Sequence, residues 1–126
     1  MIVGIGTDIV EIERIRGASE KWGKRFLRKI FTEREIAYCY KKKDPFTHLA
    51  VRFAAKEAVV KALSSLLVKR YALQDIEILN HHTGKPFINL LGNLKESFQD
   101  KFIIHLTLTH ERNYAVATVV LETKNS

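Results

Sequence analysis

The sequence predicts an α+β fold in which an antiparallel sheet packs around one long, buried helix. Three observations predict it. The stretch from about Phe46 to Val68 is apolar on most sides, a pattern that suits a helix only when it is buried. The segments Phe102–Thr109 and Tyr114–Glu122 alternate apolar and polar residues, and the short link His110-Glu111-Arg112-Asn113 makes them a hairpin. The N-terminal third turns from a short apolar strand to apolar residues at helical spacing.

Taken in order, Met1 to Gly6 reads as a strand whose glycines allow close backbone approach. Ile9, Ile12 and Ile15 then recur at helical spacing, with Gly17 as the expected stop. Ser19 to Ile30 is a second helix that places Trp22, Phe26, Leu27 and Ile30 on one face. Thr32, three residues before Glu35, has capping-box spacing and opens a helix through Ile36, Tyr38 and Tyr40. Asp44-Pro45 supplies an N-cap and first-turn pair for the long helix. Asp75 to Leu79 and Phe87 to Leu90 read as strands joined by the Asn80–Pro86 turn, and Asn93 to Asp100 as a short helix.

The 126 residues fit one domain, 1–126, with enough chain to bury a core unaided by disulfide or metal. Apolar residues at 46% and charged residues at 28% exclude disorder, collagen and coiled coil as whole-chain descriptions. The lone Cys39 excludes an internal disulfide framework and a cysteine-rich zinc site, and it is expected to be a structural thiol. No segment approaches the roughly 20 apolar residues of a membrane span. MIVGIGTDIVEI carries acids early and lacks a basic leader, so a cytoplasmic location is expected. Net charge is +7, which calls for an acidic or phosphate-bearing partner. Between Arg14 and Lys29 seven cations face only Glu20, so most of the excess lies in this segment.

Several residues are candidates for chemistry. Asp8 follows a glycine-containing strand, where a carboxylate serves either a ligand or a helix N-cap. Glu57 and Lys61 are one helical turn apart, either an ordinary surface pair or a metal ligand beside a phosphate-binding cation. Magnesium suits the second reading because it needs only one or two protein carboxylates and takes water and phosphate oxygens besides. Arg52 and Lys56 add cations to the same helix, a pattern suited to a polyphosphate. His105 and His110 are an odd number of residues apart and therefore face opposite sides of a regular strand. Gly84-Lys85-Pro86 is a turn with a cation at its tip, and His81-His82 lie in solvent beside it.

Together these residues resemble the holo-acyl-carrier-protein synthase family, the small bacterial 4′-phosphopantetheinyl transferases. GIGTDIVEIERI at 4–15, FTEREIAYC at 31–39 and RFAAKEAVVKAL at 52–63 carry the resemblance, supported by GKP at 84–86 and HLTLTH at 105–110. It covers essentially the whole chain and implies a 4′-phosphopantetheinyl transferase-like fold. It implies transfer of 4′-phosphopantetheine from coenzyme A to a serine of apo-acyl carrier protein, for fatty acid biosynthesis, with release of adenosine 3′,5′-bisphosphate. Asp8 and Glu57 would bind Mg²⁺, and Lys61 would contact the pyrophosphate; these three are the catalytic set. Arg52, Lys85, Pro86, His105 and His110 would contact coenzyme A, with Arg52 or His105 near the 3′-phosphate. Arg14, Lys21, Lys24, Arg25 and Arg28 would dock the acidic carrier protein. The family is typically a homotrimer with sites between protomers. Glu57, a metal-bound water, His110 and a group from the carrier stand as alternative bases for the serine proton. Thr107 keeps a hydroxyl where the family often has serine, and Ala18 replaces a larger apolar residue found in some members.

The alternative from another class is a basic binding module for nucleic acid or acidic proteins, without catalysis. Against nucleic acid stand the absence of a recognised nucleic-acid motif and the placement of Trp22 and Phe26 on the expected core face. Neither nucleic acid nor membrane is therefore expected as a partner.

Overall fold

The structure is a computed structural model and describes residues 1–98 and 100–124. Its elements run β1 (Ile2–Glu11), α1 (Ile12–Ile30), α2 (Glu33–Tyr40), α3 (Pro45–Leu63), a 3₁₀ turn (Leu73–Asp75), β2 (Ile76–Asn80), β3 (Pro86–Leu90), α4 (Gly92–Phe98), β4 (Phe102–His110) and β5 (Tyr114–Thr123). A three-stranded antiparallel sheet has the order β1-β5-β4, and β2-β3 forms a separate antiparallel pair. Among the described residues no helix is long and apolar enough to cross a membrane.

The expected central helix is α3. Leu49, Val51, Ala54, Ala55, Ala58, Val59, Ala62 and Leu63 are all buried along it. Its alanines let β1 approach the helix backbone. A Cβ on Gly6 would stand 1.9 Å from the Ala58 carbonyl oxygen, and one on Gly4 would stand 2.1 Å from that of Ala62. Only glycine fits at these two positions, so the strand's inner face is fixed against one side of α3. Residues two apart on a strand share a face. Asp8 is therefore delivered to the same helix just beyond the two glycines.

Four expectations change. The helix expected from Ile9 starts at Ile12, because β1 continues through Asp8 and Ile9 to pair with β5 as far as Glu11 opposite Tyr114. Ladder pairing overrides the helical spacing, and Asp8 is a mid-strand residue opposite Ala117 rather than a cap. Gly17 does not stop α1; the break falls at Gly23, which takes φ 67°. A glycine inside a helix costs only about 1 kcal/mol, whereas a positive φ is what selects glycine. The Gly23 break also re-phases the apolar stripe: Ile12, Ile15 and Leu27 are buried, while Trp22 is 60% exposed instead of joining the core face. Finally, α3 ends at Leu63 rather than Val68, where Ser64 and Ser65 open a turn.

Other elements form as expected. Thr32 and Glu35 make the reciprocal capping box. The Asp44 carboxylate accepts from the Phe46 amide, with Pro45 at the first helical position. The Gly84 turn closes β2 onto β3, and β4 and β5 form the hairpin. The short helix α4 occupies most of the predicted 93–100 span; Gln99 within that span lies outside the described residues.

Candidate active site

Asp8, Glu57 and Lys61 come together on one flank of α3. Asp8 and Glu57 line a cleft of about 400 Å³. The Lys61 ammonium donates to Asp8 Oδ1 at 3.0 Å and to the Thr7 carbonyl at 2.9 Å. Of the two readings of Glu57 and Lys61, the surface pair does not form; Lys61 pairs instead with Asp8 across to β1. Burial raises the Glu57 carboxyl above its ordinary value and the nearby Asp8 charge adds to this, while Lys61 opposes it. Two carboxylates at one cleft, one of them disfavoured as an anion, are a donor set for a hard cation. No group of three or more acidic, histidine or cysteine side chains occurs together among the described residues. A cation here would draw its other ligands from water and substrate oxygens, as Mg²⁺ readily does. The residues present fit that ion.

Arg52 lies elsewhere. Five residues from Glu57, it points about 140° away around the helix. It is 3% exposed and lines a second cleft of about 350 Å³ with Asn80, Pro86, His48 and His110. Its Nη2 donates to Asn80 Oδ1 at 2.5 Å, its guanidinium lies 4.4 Å from the Tyr38 ring centre, and its buried Nε has no partner among the described residues. Asn80 in turn donates to the Gly84 carbonyl at 2.9 Å, tying the glycine turn to the arginine. Lys85 is exposed at the tip of that turn. The His48 and His110 rings are 6.5 Å apart, and burial, then Arg52, lowers the His48 pKa. Guanidinium, amide, imidazoles and an apolar wall suit a phosphate attached to a flat ring.

His105 and His110 do fall on opposite faces of β4. His105 is on the outer face, where its Nε2 lies 2.8 Å from Glu122 Oε1. Lys56 is not part of either cleft. It is completely buried and paired with Glu35 at 2.8 Å, so the expected cluster of cations around Glu57 is divided among a core ion pair, the Arg52 cleft and Lys61. In the basic helix, Arg14 lines the Asp8–Glu57 cleft. Arg28 is bonded to Glu33 and Arg16 to Glu13 and Asp44. Lys21, Lys24 and Arg25 are exposed and without acidic partners among the described residues, with Trp22 between them.

Residues 4–119 match the model of the 4′-phosphopantetheinyl transferase superfamily. The chain belongs to this superfamily. A curated holo-[acyl-carrier-protein] synthase of Thermodesulfovibrio yellowstonii is 46% identical over 96% of this chain and 99% of its own length. The crystal structure of a Bacillus anthracis holo-(acyl-carrier-protein) synthase in complex with CoA (3′,5′-ADP) superposes with a TM-score of 0.78 at 38% identity, covering 98% of this chain and 99% of that one. The Neisseria meningitidis holo-[acyl-carrier-protein] synthase reaches a TM-score of 0.87 at 33% identity, covering 98% and 100%. In this transferase chain, sequence reasoning missed Asn80, His48 and Tyr38. Asn80 ends β2 beside a turn that hairpin chemistry already explains, and nothing local points to Arg52, 28 residues away.

Proposed function

We propose that this chain is a holo-[acyl-carrier-protein] synthase, a single domain over residues 1–126 that moves 4′-phosphopantetheine from coenzyme A to a serine hydroxyl of apo-acyl carrier protein in the cytoplasm. The observation that carries the reading is the convergence of Asp8 and Glu57 on one cleft, with Lys61 bonded to Asp8, in a chain of this superfamily. In the reaction the serine oxygen bonds to the phosphorus on the pantetheine side, its proton passes to a general base for which Glu57 and His110 are candidates, and the bridging P–O bond breaks to release adenosine 3′,5′-bisphosphate. Phosphoryl transfer asks a protein for position and charge neutralisation rather than covalent help. Asp8 and Glu57 would hold Mg²⁺, which when bound neutralises charge on the pyrophosphate. Lys61 would turn from Asp8 to the leaving phosphate oxygen. Arg52, Lys85, Pro86, His105 and His110 would hold the rest of coenzyme A, with Arg52 or His105 near the 3′-phosphate.

The two clefts share no lining residue, and His105 is on the outer sheet face. One coenzyme A reaches both sets more readily if neighbouring copies supply them. That face exposes Ile5 (67%), Ile9 (62%) and Ile103 (43%), apolar area suited to cover by another copy. A homotrimer, whose head-to-tail interface sets one flank of a protomer against a different flank of the next, meets both needs. Lys21, Lys24 and Arg25, with Arg14 and Arg28 at the ends of the stripe, would dock the acidic carrier.

Intact mass spectrometry of apo-acyl carrier protein incubated with this chain, coenzyme A and Mg²⁺ tests the reading. The carrier should gain one phosphopantetheine, and EDTA should abolish the gain. No gain with a cognate carrier overturns the reading and returns attention to a basic binding module. Charge reversal tests the docking face. Lys21→Glu with Arg25→Glu should raise the KM for carrier about tenfold, as like charges replace attraction, and leave the KM for coenzyme A unchanged. Equal effects on both would refute docking there.

A further inference from the structure

We infer that the Lys61 ammonium stands in for the divalent cation at Asp8, so that metal binding requires Lys61 to leave and coenzyme A is what draws it away. The inference rests on the assignment of Asp8, Glu57 and Lys61 above. Lys61 is bonded to two oxygens of consecutive β1 residues, the Asp8 carboxylate at 3.0 Å and the Thr7 carbonyl at 2.9 Å. A carboxylate and a peptide carbonyl are the oxygens a hard cation selects. Its side chain is still 53% exposed, whereas that of Asp8 is 17% exposed. The lysine is therefore the mobile partner and the carboxylate the fixed one. Glu57, one turn back on the same helix, is not bonded to Lys61 among the described residues, although the reverse pairing would be the local one. The ammonium has been placed on the strand carboxylate instead.

Oδ1 cannot serve an ammonium at this distance and a Mg²⁺ at about 2.1 Å without bringing like charges within a few ångströms of each other. Without coenzyme A, an entering metal strands the ammonium beside it. With coenzyme A, the pyrophosphate offers Lys61 replacement oxygens, and its four-carbon stem lets it reach them. Metal and coenzyme A consequently strengthen each other's binding by one common factor, as linkage requires. The free enzyme keeps Asp8 neutralised and loads metal together with its substrate.

Mn²⁺ binding to the coenzyme-free protein, followed by loss of the free-ion electron paramagnetic resonance signal, tests this. Lys61→Met and Lys61→Gln should each bind Mn²⁺ on the order of tenfold more tightly than the unaltered chain. Arg14→Met removes a unit charge from the same cleft without touching a bond to Asp8, and its gain should be smaller. Unchanged or weaker binding in both Lys61 variants overturns the exchange, and so does a gain matched by Arg14→Met, which would mean that net charge alone matters. Adding Asp8→Asn to Lys61→Met should cancel the gain; if it does not, the metal assignment fails with the exchange. If Asp8→Asn cancels binding but Lys61 variants match the unaltered chain, the exchange alone fails and the transfer reaction stands. Circular dichroism melts confirm that the variants are folded.

Discussion

Asp8→Asn is expected to lower kcat/KM for phosphopantetheine transfer about 10²- to 10³-fold, the range found when a single electrostatic partner of a developing charge is removed. Asparagine keeps the shape of the side chain and an oxygen for Lys61, but not the charge. The carboxylate lies mid-strand on β1 opposite Ala117 and is partly exposed, so the fold loses little more than one ion pair, worth at most about 1 kcal/mol in such a setting. Activity and stability should therefore separate, with transfer falling steeply while the melting temperature moves by a few degrees. Glu57→Gln should behave alike. Because both carboxylates would act on one cation, the double variant should be little worse than either single one. Steady-state kinetics with carrier and coenzyme A varied separately will check this. Retention of half the activity by Asp8→Asn would remove it from the catalytic set.

What could be read from the chain alone divides along sequence distance. The capping box at Thr32 and Glu35 and the Asp44-Pro45 start are local, and both form. The parity of His105 and His110 follows from strand geometry and holds. Gly4 and Gly6 were legible as strand glycines with close approach, but neither the continuation of the strand through Asp8 nor what it approaches was; that requires pairing with β5 and the alanine face of α3, more than 50 residues on. The helical spacing of Ile9, Ile12 and Ile15 misled because Ile9 is an outer strand residue and only Ile12 and Ile15 are core positions of α1. Hardest was α3. A helix apolar nearly all round has no polar face to orient it, so helical spacing separates Arg52, Lys56 and Glu57 around the axis but does not say which neighbour each one faces. The partners of Arg52, Lys56 and Lys61, which are Asn80, Glu35 and Asp8, are all on other elements.

That division makes Lys56 the most consequential residue for stability. Lys56→Met is expected to destabilise the fold by about 3–5 kcal/mol, the usual result of stranding one half of a buried ion pair. Its Nζ donates to Glu35 Oε1 at 2.8 Å, the Leu73 carbonyl at 3.0 Å and the Ile76 carbonyl at 2.5 Å. Glu35 accepts in addition from the amides of Thr32 and Ile78, each at 2.9 Å. One ammonium and one carboxylate thus join α2, α3, the 3₁₀ turn and β2, and both are completely sealed from water. Burial pulls the Lys56 pKa below its ordinary value, and Glu35 holds against that pull. Methionine fills the space but leaves a buried carboxylate without its counter-charge and two carbonyls without this donor, a loss comparable with much of the roughly 5–15 kcal/mol that holds a domain together. Glu35→Gln in the same chain should recover part of the loss, since no buried charge then remains unpaired, although its single amide oxygen can accept from only one of the Thr32 and Ile78 amides. Urea unfolding of the single and double variants measures the coupling, and a single-variant cost under about 1 kcal/mol would show that water reaches the pair. The same pair, with the glycine contacts at Ala58 and Ala62, fixes the rotation of α3 about its axis. Lys56 is anchored toward α2 and β2, so Glu57 must turn toward Asp8 while Arg52 is carried to the other flank. The apolar helix is thus oriented by close packing on β1 at one side and by its one completely buried charge at another.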